Sequence, residues 1–140
     1  MSEREIFYPA LALVALTFIV WLRLFFTRVG EMKRERIPPQ SVALSAQAAA
    51  KFSDSRAADN FRNLFELPVL FYIALVVAAL TGQVTAITLL LAWLFVAFRV
   101  LHSIIHCGYN KVMHRFSVYF AGGVALWLLW GVLAAGLLRG

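Results

Sequence analysis

Apolar positions fall in four long blocks separated by short polar clusters, and the block lengths predict membrane-spanning helices. The first block, Ile6 to Leu22, and the last, Phe116 to Leu138, hold 17 and 23 residues without a charge. Both approach or exceed the roughly 20 residues that cross bilayer hydrocarbon as a helix. Between them, residues 67–98 form a run of 32 positions with no Lys, Arg, Asp or Glu. As one helix this run would reach about 48 Å, against roughly 30 Å of hydrocarbon. It is therefore expected to fold back on itself at Thr81-Gly82-Gln83, the only turn chemistry it contains. The expected helices cover about 6–29, 56–80, 84–107 and 115–138, with a loop over about 30–55, all within one domain spanning 1–140.

Local signals refine these elements. Ser53-Asp54-Ser55 supplies N-cap chemistry for the second helix. Pro68 removes a hydrogen bond to the Leu64 carbonyl and predicts a kink one turn beyond Glu66. Gly108 ends the third helix, and Gly122-Gly123 marks a close-packing face on the fourth. Residues 43–52 have helical propensity with weak amphipathicity, fitting a short surface helix or an ordered loop. The N-terminal block reads as a retained helix, since Ser2-Glu3-Arg4-Glu5 is no basic leader and no small-x-small site follows.

Composition agrees: 62% of the 140 residues are apolar and 14% charged. This predicts an all-α membrane protein whose four helices form an up-down bundle in contact with the lipid bilayer. The formal charge of +6 is informative through its placement. Eleven of the 13 Lys and Arg lie between Arg23 and Arg115, at one end of the predicted spans. By the positive-inside rule that end is cytoplasmic, with both termini outside. Basic residues that flank spans, without a stripe on a soluble face, argue against nucleic acid as a partner. The one cysteine, Cys107, excludes an internal disulfide and any cysteine-based metal centre.

The candidate chemistry gathers at that same end. Asp59, Asn63 and Glu66 share a face of the second helix, and Arg62 stands four residues before Glu66, in position to pair with it. Arg99, His102 and His106 lie within an arc of about 60° on the third helix. Arg115 and Tyr119 are one turn apart on the fourth. Plainer readings exist for each: helix-ending arginines, a structural ion pair, and interfacial His and Tyr side chains. Two histidines on one helix are thin support for zinc, and no metal is expected. Together the groups suit a small anionic, peptide-like ligand. Arginine would hold its carboxylates, Asn and Glu its amide or amino groups, and an Arg or hydroxyl a thiolate.

These residues resemble those of the MAPEG family, the membrane-associated proteins of eicosanoid and glutathione metabolism. Residues 62–72, Arg-Asn-Leu-Phe-Glu-Leu-Pro-Val-Leu-Phe-Tyr, are similar to the family's helix-2 signature. The spacing from Arg99 through His102 to Arg115 and Tyr119 is similar to the prostaglandin E synthase branch. The resemblance implies a homotrimer that binds glutathione as co-substrate between subunits and acts on a lipophilic electrophile as transferase or peroxidase. It implies catalytic roles for Arg115, where the family's thiolate-stabilising arginine lies, and for Tyr119. Asn63 and Glu66 would contact the glutathione backbone. Arg62, Arg99, His102, His106 and Arg28 would complete its binding set. Three positions depart from the pattern. Asp59 replaces an arginine and would repel a glutathione carboxylate unless it binds the amino group or pairs with Arg62. His106 stands where a tyrosine is expected, and Phe116 where one branch has a serine beside the thiolate-site arginine, with Ser117 one place later. The resemblance further implies a bacterial-type, inner-membrane enzyme. Two rival readings are a non-catalytic lipid-binding protein of the same family and a small proton-coupled transporter working through Glu66.

Overall fold

The computed structural model describes residues 2–139, and every regular element among them is helical. Four helical segments, Glu3–Arg34, Arg56–Leu80, Ala86–Cys107 and Val112–Arg139, are long and apolar enough to cross a membrane.

Helix α1 (Phe7–Arg34) follows a 3-10 turn over Glu3–Ile6 that Ser2 caps, its hydroxyl accepting from the Arg4 N–H. It runs five residues past the expected end at Val29. Those extra residues have a tertiary partner: Glu31, 4% exposed, accepts from both the backbone N–H and the hydroxyl of Ser53. Lys33 and Arg34 also suit the negative end of the helix dipole. The connection carries a 3-10 turn at Pro39–Val42 and the short helix α2 (Ser45–Lys51).

The second span is two helices, α3 (Arg56–Asn63) and α4 (Leu67–Leu80). The interruption lies at residues 64–66, upstream of Pro68, and not one turn beyond Glu66. Glu66 leaves helical geometry at φ −92°, ψ −106°. Bonds of the i to i+3 type, from the N–H of Phe65 to Arg62 O and of Glu66 to Asn63 O, carry the chain through the break. The physical reason is that proline needs no N–H partner in a first turn. The helix stops and restarts with Pro68 in that first turn, so the ring is never forced against a preceding helical carbonyl.

The turn between α4 and α5 (Ala86–Cys107) is a Schellman closure. Gln83 N–H donates to Ala78 O at 2.9 Å, and Gly82 takes φ +65°, which glycine adopts without strain. Thr85 then caps α5 through a reciprocal box with Thr88, which starts the helix at Ala86, two residues later than expected. At its other end, Arg23 of α1 donates to Cys107 O at 2.8 Å and Arg56 of α3 to Gly108 O at 2.6 Å. Two cations thus satisfy C-terminal carbonyls and favour the dipole. Helix α6 (Val112–Arg139) begins three residues earlier than expected.

Arg23 and Arg56 meet α5 at its C-terminal end, whereas Gly136 near the end of α6 lies against Gln83 in the opposite turn. The spans therefore alternate in direction. The core stacks Phe71 on Phe95 with ring centres 4.6 Å apart, and Leu13, Ala74, Leu126, Leu129 and Leu133 are fully buried around them. Lipid tails are as apolar as these side chains, so close packing and not hydrophobicity must hold such helices together. Gly122 shows how: a Cβ there would come within 3.2 Å of the Phe98 Cβ on α5. Outward positions such as Leu11, Phe18, Phe26, Leu90, Ile104, Phe120 and Trp127 are exposed, as lipid-facing residues are.

Candidate functional site

The break at residues 64–66 shapes the site. It lets Glu66 turn back so that its carboxylate accepts from Asn63 Nδ2 at 2.9 Å. The other end of the same amide, Asn63 Oδ1, accepts from Arg99 Nη1 at 2.7 Å. Arg99 thus reaches Glu66 through Asn63, linking α5 to the α3–α4 break. Arg99 is 1% exposed, and its guanidinium lies 4.8 Å from the Tyr119 ring centre and 5.2 Å from that of Phe95. A charge this deep needs such partners, since burying an unpaired guanidinium costs several kcal/mol.

Above this linkage opens a cleft of about 320 Å³. Asp59, Arg62, Asn63 and Glu66 form one wall, His102 and His106 the second, and Arg115, Phe116 and Tyr119 the third. The two imidazoles meet edge to face at 5.3 Å, and His102 lies 5.8 Å from Tyr119. Arg99 Nη2 and the Nδ1 atoms of His102 and His106 are buried without a hydrogen-bond partner among the described residues. Buried polar nitrogens rarely stay unpaired, and several together mark a place where a ligand or water completes the set.

The Arg62–Glu66 pair expected from i, i+4 spacing does not form. That spacing holds only along an unbroken helix, and this one stops at Asn63. Arg62 instead faces Asp59 at 3.7 Å, and Ser55 donates to the same carboxylate at 2.7 Å. Asp59 is thereby partly compensated, one of the two ways anticipated for it. Arg28 lies apart from the cleft, its guanidinium 4.1 Å above the Phe52 ring. It lines a second cavity of about 570 Å³ between α1, α2 and α3, which shares Asp59 and Arg62 with the first.

Three polar residues absent from the sequence-based candidates support the site. Asn60, fully buried, donates to Cys107 Sγ at 3.4 Å and accepts from Ser103 at 3.3 Å, tying α3 to α5 behind the cleft. Its place one turn before Asn63 was the available signal. Asn110, in the α5–α6 turn at φ +50°, accepts from Arg115 Nη1 at 2.6 Å. Among the described residues, no three His, Cys, Asp or Glu groups gather as a metal would need. Three arginines against two carboxylates leave the cleft and its floor cationic, with an amide, two imidazoles and a phenol as neutral donors or acceptors. Such a set can bind carboxylate and amide groups and stabilise a sulfur anion.

The family model of the MAPEG family matches residues 6–135. The chain belongs to the MAPEG family, a family of integral membrane proteins with glutathione-related transferase and peroxidase activities. No curated protein and no solved structure matches the chain.

Proposed function

We propose that this MAPEG-family protein binds glutathione, or a closely related thiol, in the three-walled cleft and activates it toward a lipophilic electrophile dissolved in the membrane. The observation that carries the reading is the Arg99–Asn63–Glu66 linkage beneath a cleft whose opposite wall presents Arg115 and Tyr119. Glutathione supplies the nucleophilic sulfur, two carboxylates and an amino group. Arg99 and Arg62 are suited to the carboxylates, and Glu66 to the amino group. Asn63, already paired at both ends, holds these two charges in register. Arg115 favours the thiolate over the thiol by its adjacent positive charge, and Tyr119 can donate a hydrogen bond to the same anion. His102 and His106 complete the pocket as polar ring edges. Favouring the thiolate over the thiol speeds attack by raising the fraction of the bound thiol in its reactive form.

The protein acts as a homotrimer in this reading. A neighbouring subunit would then complete the thiol site, and the second cavity with Arg28 is the contact proposed for it. The asymmetry of Lys and Arg supports a cytoplasmic basic end with both termini facing away; a bacterial inner membrane follows only from the family resemblance. A second reading, a non-catalytic lipid-binding protein, draws on one observation. An apolar groove of about 420 Å³ between α1 and the α3–α4 break, lined by Phe18, Trp21, Phe61, Phe65 and Tyr72, suits an acyl or aromatic ligand. In the first reading the same groove serves the lipophilic co-substrate.

Calorimetric titration of the purified protein with glutathione tests the choice. The enzyme reading expects saturable binding, and a bound thiolate visible by ultraviolet absorbance that Arg115→Ala abolishes. Absence of heat at millimolar thiol, with retained binding of fatty or aromatic ligands, would favour the lipid binder.

A further inference from the structure

Arg115 occupies an unfavourable place for a cation. It lies in the opening turns of α6, where the helix dipole presents its positive end. Helix stability does not account for it there. A free arginine side chain also carries much rotamer entropy, so without an anchor it would sample solvent as readily as the cleft. The only hydrogen bond the guanidinium makes among the described residues is to Asn110 Oδ1, at 2.6 Å.

Asn110 is itself anchored. Its φ of +50° lies in the left-handed region, which asparagine tolerates better than most residues. Its backbone N–H donates to Ile105 O at 2.8 Å, fastening it to the last turn of α5. That turn is held in place by Arg23 and Arg56 from two other helices. The amide oxygen of Asn110 is therefore a fixed acceptor on the frame of the bundle.

We propose that Asn110 is a positioning residue that aims the Arg115 guanidinium at the cleft while leaving its charge uncompensated. A carboxylate here would hold the arginine equally well but would cancel the field that favours a thiolate; a neutral amide does not. The titratable groups sharing the cleft with Arg115 are Asp59, Arg62, Glu66, His102, His106 and Tyr119, and none hydrogen-bonds to it. This inference rests on the thiolate-activating reading of the cleft.

The test compares Asn110→Asp and Asn110→Gly with the parent protein and Arg115→Ala, all full length in detergent, with glutathione as the probe. The glycine variant keeps the left-handed backbone and loses only the acceptor, so it reports even if the aspartate variant fails to fold. The pH titration of the bound thiolate absorbance is expected to move its midpoint up by about 1 pH unit or more in Asn110→Asp. In Asn110→Gly, kcat toward an aryl halide is expected to fall about 10- to 100-fold, as for a misplaced catalytic group, with the glutathione KM changed less than about twofold. A parent-like midpoint in Asn110→Asp together with parent-like kcat in Asn110→Gly, while Arg115→Ala loses the thiolate, overturns the role of Asn110 alone. A parent protein that binds no thiolate overturns the cleft reading and this inference together.

Discussion

Arg99 is the residue on which the interior of this bundle turns. A guanidinium inside a membrane helix is costly, and its cost is met here by one hydrogen bond to Asn63 and two aromatic faces. Asn63→Leu removes both the acceptor that Arg99 uses and the donor that Glu66 uses. We expect a loss of about 1–3 kcal/mol in stability, the usual cost of orphaning a buried polar group. Glutathione affinity is expected to fall at least about 10-fold, read by calorimetry. An unchanged melting point would show that Arg99 does not depend on this amide. At the periphery, Asp54 accepts two bonds from the Arg56 side chain, at 2.9 Å each, which draws its carboxyl from 3.8 down to about 2. A lowered folded pKa stabilises fully above about pH 4, and that contribution is lost as pH falls through about 2. Asp54→Asn should therefore flatten the acid limb of the thermal midpoint between pH 5 and 2, at a cost of about 1 kcal/mol near neutrality after solvent screening. An acid limb identical to the parent's would assign the loss to other carboxylates.

At the scale of the helix, most of the fold was legible because apolar run length is a direct measure of what a bilayer requires. The ends of helices were less so. The continuation of α1 to Arg34 depends on Glu31 meeting Ser53, a contact between residues 22 apart in the chain, and no local signal carries it. Pro68 announced an irregularity but not its position. The break at residues 64–66 follows from the helix ending at Asn63 and restarting with proline in its first turn, and it removed the Arg62–Glu66 pair that helical spacing suggested. The same periodicity placed Asn63, Glu66, His102, His106, Arg115 and Tyr119 at one end of the spans, and the structure brings them to one cleft. Arg28 and Asn110 escaped this logic, because one lies at the end of a span and the other in a turn. Glycine packing supplies a test of the helix contacts. Gly122→Val should push α5 and α6 apart, costing about 1–3 kcal/mol as overpacking does, whereas Gly131→Ala meets nothing within 4 Å and should be neutral. Equal melting points for the two variants would contradict the close approach at Gly122.

At the scale of the whole molecule, one bundle concentrates 16 of its 20 charged side chains at a single end, and membership of the MAPEG family gives that concentration a chemical direction. The proposed trimer predicts a detergent-corrected mass about three times the 15.7 kDa chain in sedimentation equilibrium. A monomer would leave the second cavity without a subunit to complete it. The most direct measurement is an experimental structure determined with glutathione at saturating concentration. The account predicts density for a tripeptide in the three-walled cleft, its carboxylates toward arginine, its amino group toward Glu66 and its sulfur toward Arg115. A saturated sample whose cleft holds only water or lipid headgroups, with Arg115 turned to solvent, would contradict it.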